Sequence, residues 1–284
     1  SFTGDGNSDF LSSTLAIGTD GTIYIGAYSN TSGGDNKLYA IDKEPCRRGL
    51  DGACTDSGLL WFFNYAEDII ESPVVEADDT IYIHSGTFNP FGSYDKLYSI
   101  NTSQCAQDLD SDCTDSGLNW SFEFENIQIT SPVIGADGKI YVGAKEGSTG
   151  KLYAIDPVKC SLGSDNDCTD SGPGWFFTTE SPIALPPISG DDDIIYVGSD
   201  DGRIYAIDTH QCQQASDGDC TDLGLRWSFK SPGNPIALAK GRDGKIYVGS
   251  TDNRLYTINT RHCEQNPGGD CTDLGLYWFF TIGE

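Results

Sequence analysis

The stretch Ile195-Tyr196-Val197-Gly198-Ser199-Asp200-Asp201-Gly202-Arg203-Ile204-Tyr205-Ala206-Ile207-Asp208 holds two short β-branched and aromatic runs around an Asp-Gly turn. Runs of this kind, bounded by Gly and Asp and without a helical period, read as a β-hairpin. Upstream, Ser181-Pro182 opens the segment, and downstream two cysteines lead to Trp227-Ser228-Phe229. The whole pattern occurs five times. Its first tyrosine is Tyr24, Tyr82, Tyr141, Tyr196 or Tyr247, and its second is Tyr39, Tyr98, Tyr153, Tyr205 or Tyr256. Trp61, Trp120, Trp175, Trp227 and Trp278 close the units at separations of 59, 55, 52 and 51 residues. A fixed pattern with a period of this size marks a repeat architecture whose units share a stacked core.

Each unit reads as four strands. In the third, Ser131-Pro132-Val133-Ile134 opens the unit, and Ala136-Asp137-Gly138 makes a turn into Lys139–Val142. Lys151–Ile155 and Trp175–Phe177 follow as the third and fourth strands. The middle strands are apolar at consecutive positions, as expected for a sheet covered on both faces. The sequence therefore predicts an all-β, five-bladed β-propeller of four-stranded antiparallel blades, with one disulfide inside each blade. It is read as a single domain over residues 1–284, with an arm at 1–12 and blades near 13–64, 71–124, 130–179, 181–230 and 234–284. Phe279 to Ile282 finish the last blade, and an open solenoid is the structural alternative. The fifteen repeated aromatics are assigned to packing between blades.

The cysteines pair at a constant spacing: Cys46 with Cys54, Cys105 with Cys113, Cys160 with Cys168, Cys212 with Cys220, and Cys263 with Cys271, each with seven residues between. This predicts five local disulfides in the links between third and fourth strands; zinc is disfavoured because its cysteines usually sit closer together. Disulfides imply an oxidising compartment. A chain that begins at Ser1 and has no Met also reads as a processed, secreted product, extracellular, at the cell surface or periplasmic. The net charge of −26 excludes nucleic acid and anionic membranes as partners, and no apolar run is long enough to enter a bilayer.

The acidic residues cluster at the second cysteine, where each unit continues Thr-Asp-x-Gly. Asp108, Asp110, Asp112 and Asp115 in unit two, Asp165, Asp167 and Asp170 in unit three, and Asp217, Asp219 and Asp222 in unit four form alternating carboxylates. That pattern admits calcium, which takes six to eight oxygens from a flexible loop, or ordinary turn chemistry, since Asp bonds its own backbone. Among the three histidines, His210 and His262 precede their cysteines and are expected at the surface. His84 replaces a glycine found in the other units, and reads as a tolerated substitution or the lining of a pocket. Thr87 to Tyr94, containing Phe88, Phe91 and Tyr94, and Ser29 to Gly34 read as loops that break the repeat. Phe88, Phe91 and Tyr94 are candidates for contact with a partner or sugar. Residues 1–12 are either a disordered end or an arm for strand addition to a neighbour. Asn30, Asn101 and Asn119 begin glycosylation sequons.

The segment from Ser181-Pro182 through Ile195–Asp208 to Trp227-Ser228-Phe229 resembles the pyrroloquinoline-quinone-like propeller repeat. That resemblance, which covers nearly the whole chain, implies a propeller but no single activity, because the family includes quinoprotein dehydrogenases, outer-membrane assembly factors and surface proteins. The family's Asp-x-x-Thr-Gly link is replaced here by the cysteine loop, and no two cysteines are adjacent. No quinone-site residue is therefore carried over and the quinone is not expected. The leading functional expectation is a non-enzymatic scaffold or adhesion module that binds protein or itself. A lectin-like, carbohydrate-binding propeller is second, and a glycosidase or quinoprotein is third.

Overall fold

The computed structural model of the chain describes residues 9–11, 13–29, 36–43, 58–65, 69–70, 72–89, 92–108, 111–162, 166–169, 172–191 and 193–282. They form an all-β, propeller-like fold of five sheets, one per repeat. Sheet three shows the plan. Ile140–Glu146 and Thr149–Ile155 pair with Tyr141 opposite Ala154, and Trp175–Thr179 adds outside with Trp175 opposite Ala154. The predicted first strand is split into Gln128–Ile129 and Val133–Ile134, both paired to Ile140–Glu146. Pro132, which lacks an N–H for the ladder, lies between the two pieces.

The outer strands of the five sheets are Leu59–Tyr65, Leu118–Glu125, Trp175–Thr179, Leu225–Lys230 and Leu276–Thr281. Turns before the middle strands use the left-handed region, with Gly138 at φ 74° and Gly202 at φ 83°. Asp79, in the second repeat, takes φ 66° at the matching turn, a conformation that short polar side chains tolerate.

By contacts the chain forms two compact units, Ser1–Asn126 with Val158–Ser171, and Ile127–Pro157 with Gly172–Glu284. In the first, Trp61, Phe63 and Tyr65 of sheet one pack with Ile81, Ile83 and Ile100 of sheet two and with Cys105 and Cys113. In the second, Trp175 and Phe177 meet Ile195, Val197 and Ile207 with Cys212 and Cys220. Trp227 and Phe229 likewise meet Ile246, Val248 and Ile258 with Cys263 and Cys271. The middle strand Ile194–Gly198 is buried throughout, as the unbroken apolar run requires.

Several expectations are corrected. Asp9–Leu11 is no free arm: it pairs antiparallel with Ile23–Ser29, Asp9 opposite Ser29, and stands at the edge of sheet one. The span Thr87 to Tyr94 is largely strand, because Thr80–Asn89 and Gly92–Asn101 continue their ladder to Asn89 opposite Gly92. Phe88 and Tyr94 fall on that extended hairpin, and Phe91 lies outside the described residues, as do 30–34. One-turn helices, absent from the sequence reading, open the cysteine loops at Thr102–Cys105, Pro157–Cys160, Thr209–Cys212 and Thr260–Cys263. Four residues cannot show a helical period, but the cap is chemically clear. Asn101 and Asp208 each accept the N–H three residues on, from Gln104 at 3.2 Å and Gln211 at 3.1 Å. No helix among the described residues is long and apolar enough to cross a membrane.

Candidate functional site

The sequence placed its candidate chemistry in the cysteine loops, and the geometry shows what those residues do. Cys105–Cys113, Cys160–Cys168, Cys212–Cys220 and Cys263–Cys271 are disulfides with Cα–Cα distances of 4.8, 4.8, 4.8 and 5.1 Å. Cys46 and Cys54 lie outside the described residues. Four disulfides fit maturation in an extracellular or periplasmic setting. The bonds are local, as expected, but the loops are not confined to their own sheets. Each lies parallel to the outer strand of the sheet before it, pairing Phe62 with Asp112, Ser121 with Asp167, Phe176 with Asp219 and Ser228 with Asp270.

The same hydrogen bonds recur at each seam. Phe62 N–H donates to the Ser111 carbonyl at 2.9 Å and its carbonyl accepts from Cys113 N–H at 2.8 Å. Ser121 does the same with Asn166 and Cys168, and Phe176 with Gly218 and Cys220, all at 2.8–2.9 Å. Ser111, Asn166 and Gly218 are left-handed, at φ 66°, 60° and 81°. The threonine after the second cysteine then accepts a strand N–H two residues further along: Thr114 from Asn64 (2.9 Å), Thr169 from Glu123 (2.9 Å), Thr221 from Thr178 (3.0 Å) and Thr272 from Lys230 (2.8 Å).

The aspartate before that cysteine fixes the threonine. Asp112 and Asp219 each accept from both the N–H and the Oγ–H of Thr114 and Thr221, the hydroxyl bonds at 2.5 Å. Asp167 accepts from Thr169 N–H at 2.8 Å, and Asp270 from Thr272 N–H and Oγ–H. The Thr169 N–H holds the Asp167 carboxyl below its ordinary value of 3.8, and the Thr221 hydroxyl does so for Asp219. The glycine of Thr-Asp-x-Gly is required by the bridge itself, since a Cβ at Gly117 or Gly224 would sit 2.0 or 2.3 Å from a disulfide sulfur. Turn and seam chemistry thus accounts for the aspartate before the second cysteine and for the threonine and glycine after it.

The remaining calcium candidates among the described residues do not converge. Asp108 accepts from Ser116, Asp217 accepts from Asp219 N–H at 3.1 Å, and Asp115 and Asp222 are exposed. Asp110, Asp165 and Asp170 lie outside the described residues. Among the described residues no three His, Cys, Asp or Glu side chains gather as a metal site. His210 and His262 are exposed, as expected. His84 is buried, and its Nε2 lies 3.0 Å from Asp95 Oδ2. Gly86 makes room for this pair, because a Cβ there would meet Asp95 at 2.3 Å.

Two features were not foreseen. The first is a polar pocket of about 300 Å³ between sheets four and five. Lys240 binds Asp191 there at 2.5 Å, Arg226 reaches Asp208 at 3.5 Å, and Arg261 and Glu264 complete its charged wall. These cations have no counterpart in most other repeats (Arg226 stands where they carry Leu60, Asn119, Gly174 and Tyr277), and that break in symmetry was the available signal.

The second is the outer strand of sheet five. Trp61, Trp120, Trp175 and Trp227 are 1–2% exposed, yet Trp278 is 39% exposed. Phe280 is 61% exposed, against 1–5% for Phe63, Phe122, Phe177 and Phe229 at the same position. Leu276–Thr281 pairs on one side with Arg254–Asn259, and among the described residues no cysteine loop lies on the other. Tyr277 and Phe279 are covered only in part by Lys245 and Arg254, whose cationic groups stand 5.0 and 4.8 Å from the ring centroids.

The chain is similar in fold to known propellers. It matches the crystal structure of BamB from Moraxella catarrhalis with a TM-score of 0.52 and 15% identity over 96% of this chain, spanning 62% of that one. It matches the WD40 β-propeller domain of Doa1 with a TM-score of 0.55 and 14% identity over 99% of this chain and 71% of that one. No protein-family model matches the sequence, and no curated protein does.

Proposed function

We propose that this chain is a non-enzymatic protein-interaction module of an exported protein, built of five propeller blades, and that it engages its partner through the outer strand of sheet five. The observation that carries the reading is the exposure of Trp278 and Phe280 on a strand whose second edge has no partner among the described residues, in a fold that buries both positions in every other repeat. Exposed contiguous apolar surface of this kind marks a contact site, and an open strand edge offers main-chain bonds to a partner. A photo-crosslinking amino acid at position 280, introduced in an exporting host, is expected to give a discrete protein adduct. The same probe at position 229, buried at the preceding seam, should give none. Absence of any adduct at 280 would remove the reading.

The pocket of sheets four and five favours carbohydrate as a second ligand class. Its wall offers paired cations and carboxylates together with the Arg261 guanidinium, a donor-rich lining suited to a sugar bearing hydroxyls and a carboxylate. A glycan screen with Arg261→Ala as control tests it: binding lost in the variant supports the site, and no hit with the native chain dismisses it.

A further inference from the structure

The pocket between sheets four and five owes its opening to two replacements at repeated positions. At the seam of sheets three and four, Asp137 accepts from Lys139 Nζ at 3.0 Å, Tyr141 Oη at 2.9 Å and Gln213 Nε2 at 3.1 Å. These bonds make a polar plug that ties the turn of one sheet to the cysteine loop of the next. One repeat on, Ile194 stands for Lys139 and Glu264 for Gln213, and neither side chain donates to a carboxylate at neutral pH. The match of Asp137 itself, Asp192, lies outside the described residues. Both Ile194 and Glu264 line the cavity of about 300 Å³.

The charges around it are balanced in a chain that is not. Three of the 17 lysines and arginines, Arg226, Lys240 and Arg261, face Asp191, Asp208 and Glu264, whereas the whole chain carries 43 acidic residues. An anion therefore meets less repulsion here than on the general surface. Lys240 is held by Asp191 at 2.5 Å and Arg226 by Asp208 at 3.5 Å. Arg261 and Glu264, three residues apart at the Thr260–Cys263 helix, form no ion pair among the described residues. A ligand is left one guanidinium and one carboxylate, close together. Ile194 and Tyr196, 8% and 6% exposed, add an apolar floor.

We propose that the pocket takes a single hexuronate ring, its carboxylate on the Arg261 guanidinium and a neighbouring hydroxyl on the Glu264 carboxylate. Ile194 and Glu264 are the positions that make the site, by leaving out the plug. The planar fork of Arg261 matches a carboxylate in two parallel bonds, and an ionised Glu264 accepts from a hydroxyl. The volume lies at the lower end of the roughly 300–1,000 Å³ of small-molecule sites, which suits one ring. The proposal rests on the carbohydrate reading of this pocket and names the sugar class and the residues that select it.

The test is a ligand-observed NMR titration of the full chain with sodium glucuronate, with its neutral isostere glucuronamide, and with methyl glucuronide, blocked as at a chain end. Glucuronate is expected to bind, and glucuronamide about tenfold more weakly, the loss that follows removal of a charge-assisted bond. Binding of methyl glucuronide assigns the ring to a chain end, and its failure beside bound glucuronate assigns the free acid. Arg261→Gln should weaken glucuronate about tenfold and leave glucuronamide unchanged. Ile194→Lys with Glu264→Gln restores the residues of the plugged seam and should abolish binding. Arg261 is exposed, so its variant keeps the test open should the double variant fail to fold. Equal binding of glucuronate and glucuronamide overturns the proposal, and so does undiminished binding in a folded double variant. If glucuronate does not bind while a neutral glycan binds the native chain and is lost in the double variant, the hexuronate assignment fails and the carbohydrate reading stands. No glycan binding at all removes both.

Discussion

Thr221-Asp222-Leu223-Gly224-Leu225-Arg226-Trp227-Ser228-Phe229 and Thr272-Asp273-Leu274-Gly275-Leu276-Tyr277-Trp278-Phe279-Phe280 differ at two positions, Arg226 against Tyr277 and Ser228 against Phe279. They form the same one-turn helix and the same outer strand. Yet Trp227 and Phe229 are each 1% exposed, while Trp278 and Phe280 are 39% and 61% exposed. The contrast is set by neighbours. Trp227 has Ile246, Val248, Ile258 and the Cys263–Cys271 bridge against it, while Trp278 has its own sheet's Tyr247 at 6.2 Å. The lesson is that a repeat specifies a surface needing a cover, and the cover comes from the next unit.

The contrast can be broken in several ways. The largest effect is expected from tryptophan truncation: Trp227→Ala should cost about 3–5 kcal/mol in denaturant unfolding, as for a fully buried large aromatic. Trp278→Ala should cost about 1 kcal/mol or less, and equal losses would mean that the two strands are equally covered. Next comes the bridge. Cys212→Ser with Cys220→Ser should lower stability by about 2–3 kcal/mol through the freed loop of the unfolded chain. Unchanged melting under reductant would show that the bridges do not hold the seams.

Smaller is the threonine clasp. Thr221→Val leaves Thr178 N–H without its 3.0 Å acceptor and should cost about 1–2 kcal/mol. Smaller still is the acid dependence. The carboxyls of Asp167 and Asp219 are lowered from 3.8 by bonds from Thr169 and Thr221. Their contribution is full above the unfolded value and is lost as pH falls through the lowered folded values. Melting should therefore weaken only in acid below about pH 4, and Asp219→Asn should flatten that decline. The least effect is expected from calcium: Asp112, Asp167, Asp219 and Asp270 already accept bonds from the loop threonines, so chelator and millimolar calcium should give the same melting temperature.

Much of the fold was legible in the sequence because its signals are local. Hairpins follow from β-branched runs around Asp-Gly, and bridges follow from the fixed cysteine spacing. The packing role of the tyrosines and tryptophans held for the first four repeats, and only Tyr247 and Trp278 in the fifth depart from burial. The aspartates beside the cysteines were visible but ambiguous, because alternating carboxylates look alike whether they await a cation or a threonine. Asp95 went unnoticed as the partner of His84, since they are brought to 3.0 Å only by the ladder between Thr80–Asn89 and Gly92–Asn101. The pocket of Lys240, Arg226 and Arg261 drew its charges from separate segments that no motif connects.

The sequence by itself determined the repeat, the strands, the turns and the cysteine pairs, because each depends on residues a few positions apart. Only the tertiary structure decided that the described cysteine loops clasp the preceding sheet, that His84 is buried against Asp95, and that Trp278 and Phe280 are exposed. Those outcomes depend on which unit stands beside which, and near-identical repeats carry the same local code whether or not a neighbour is present.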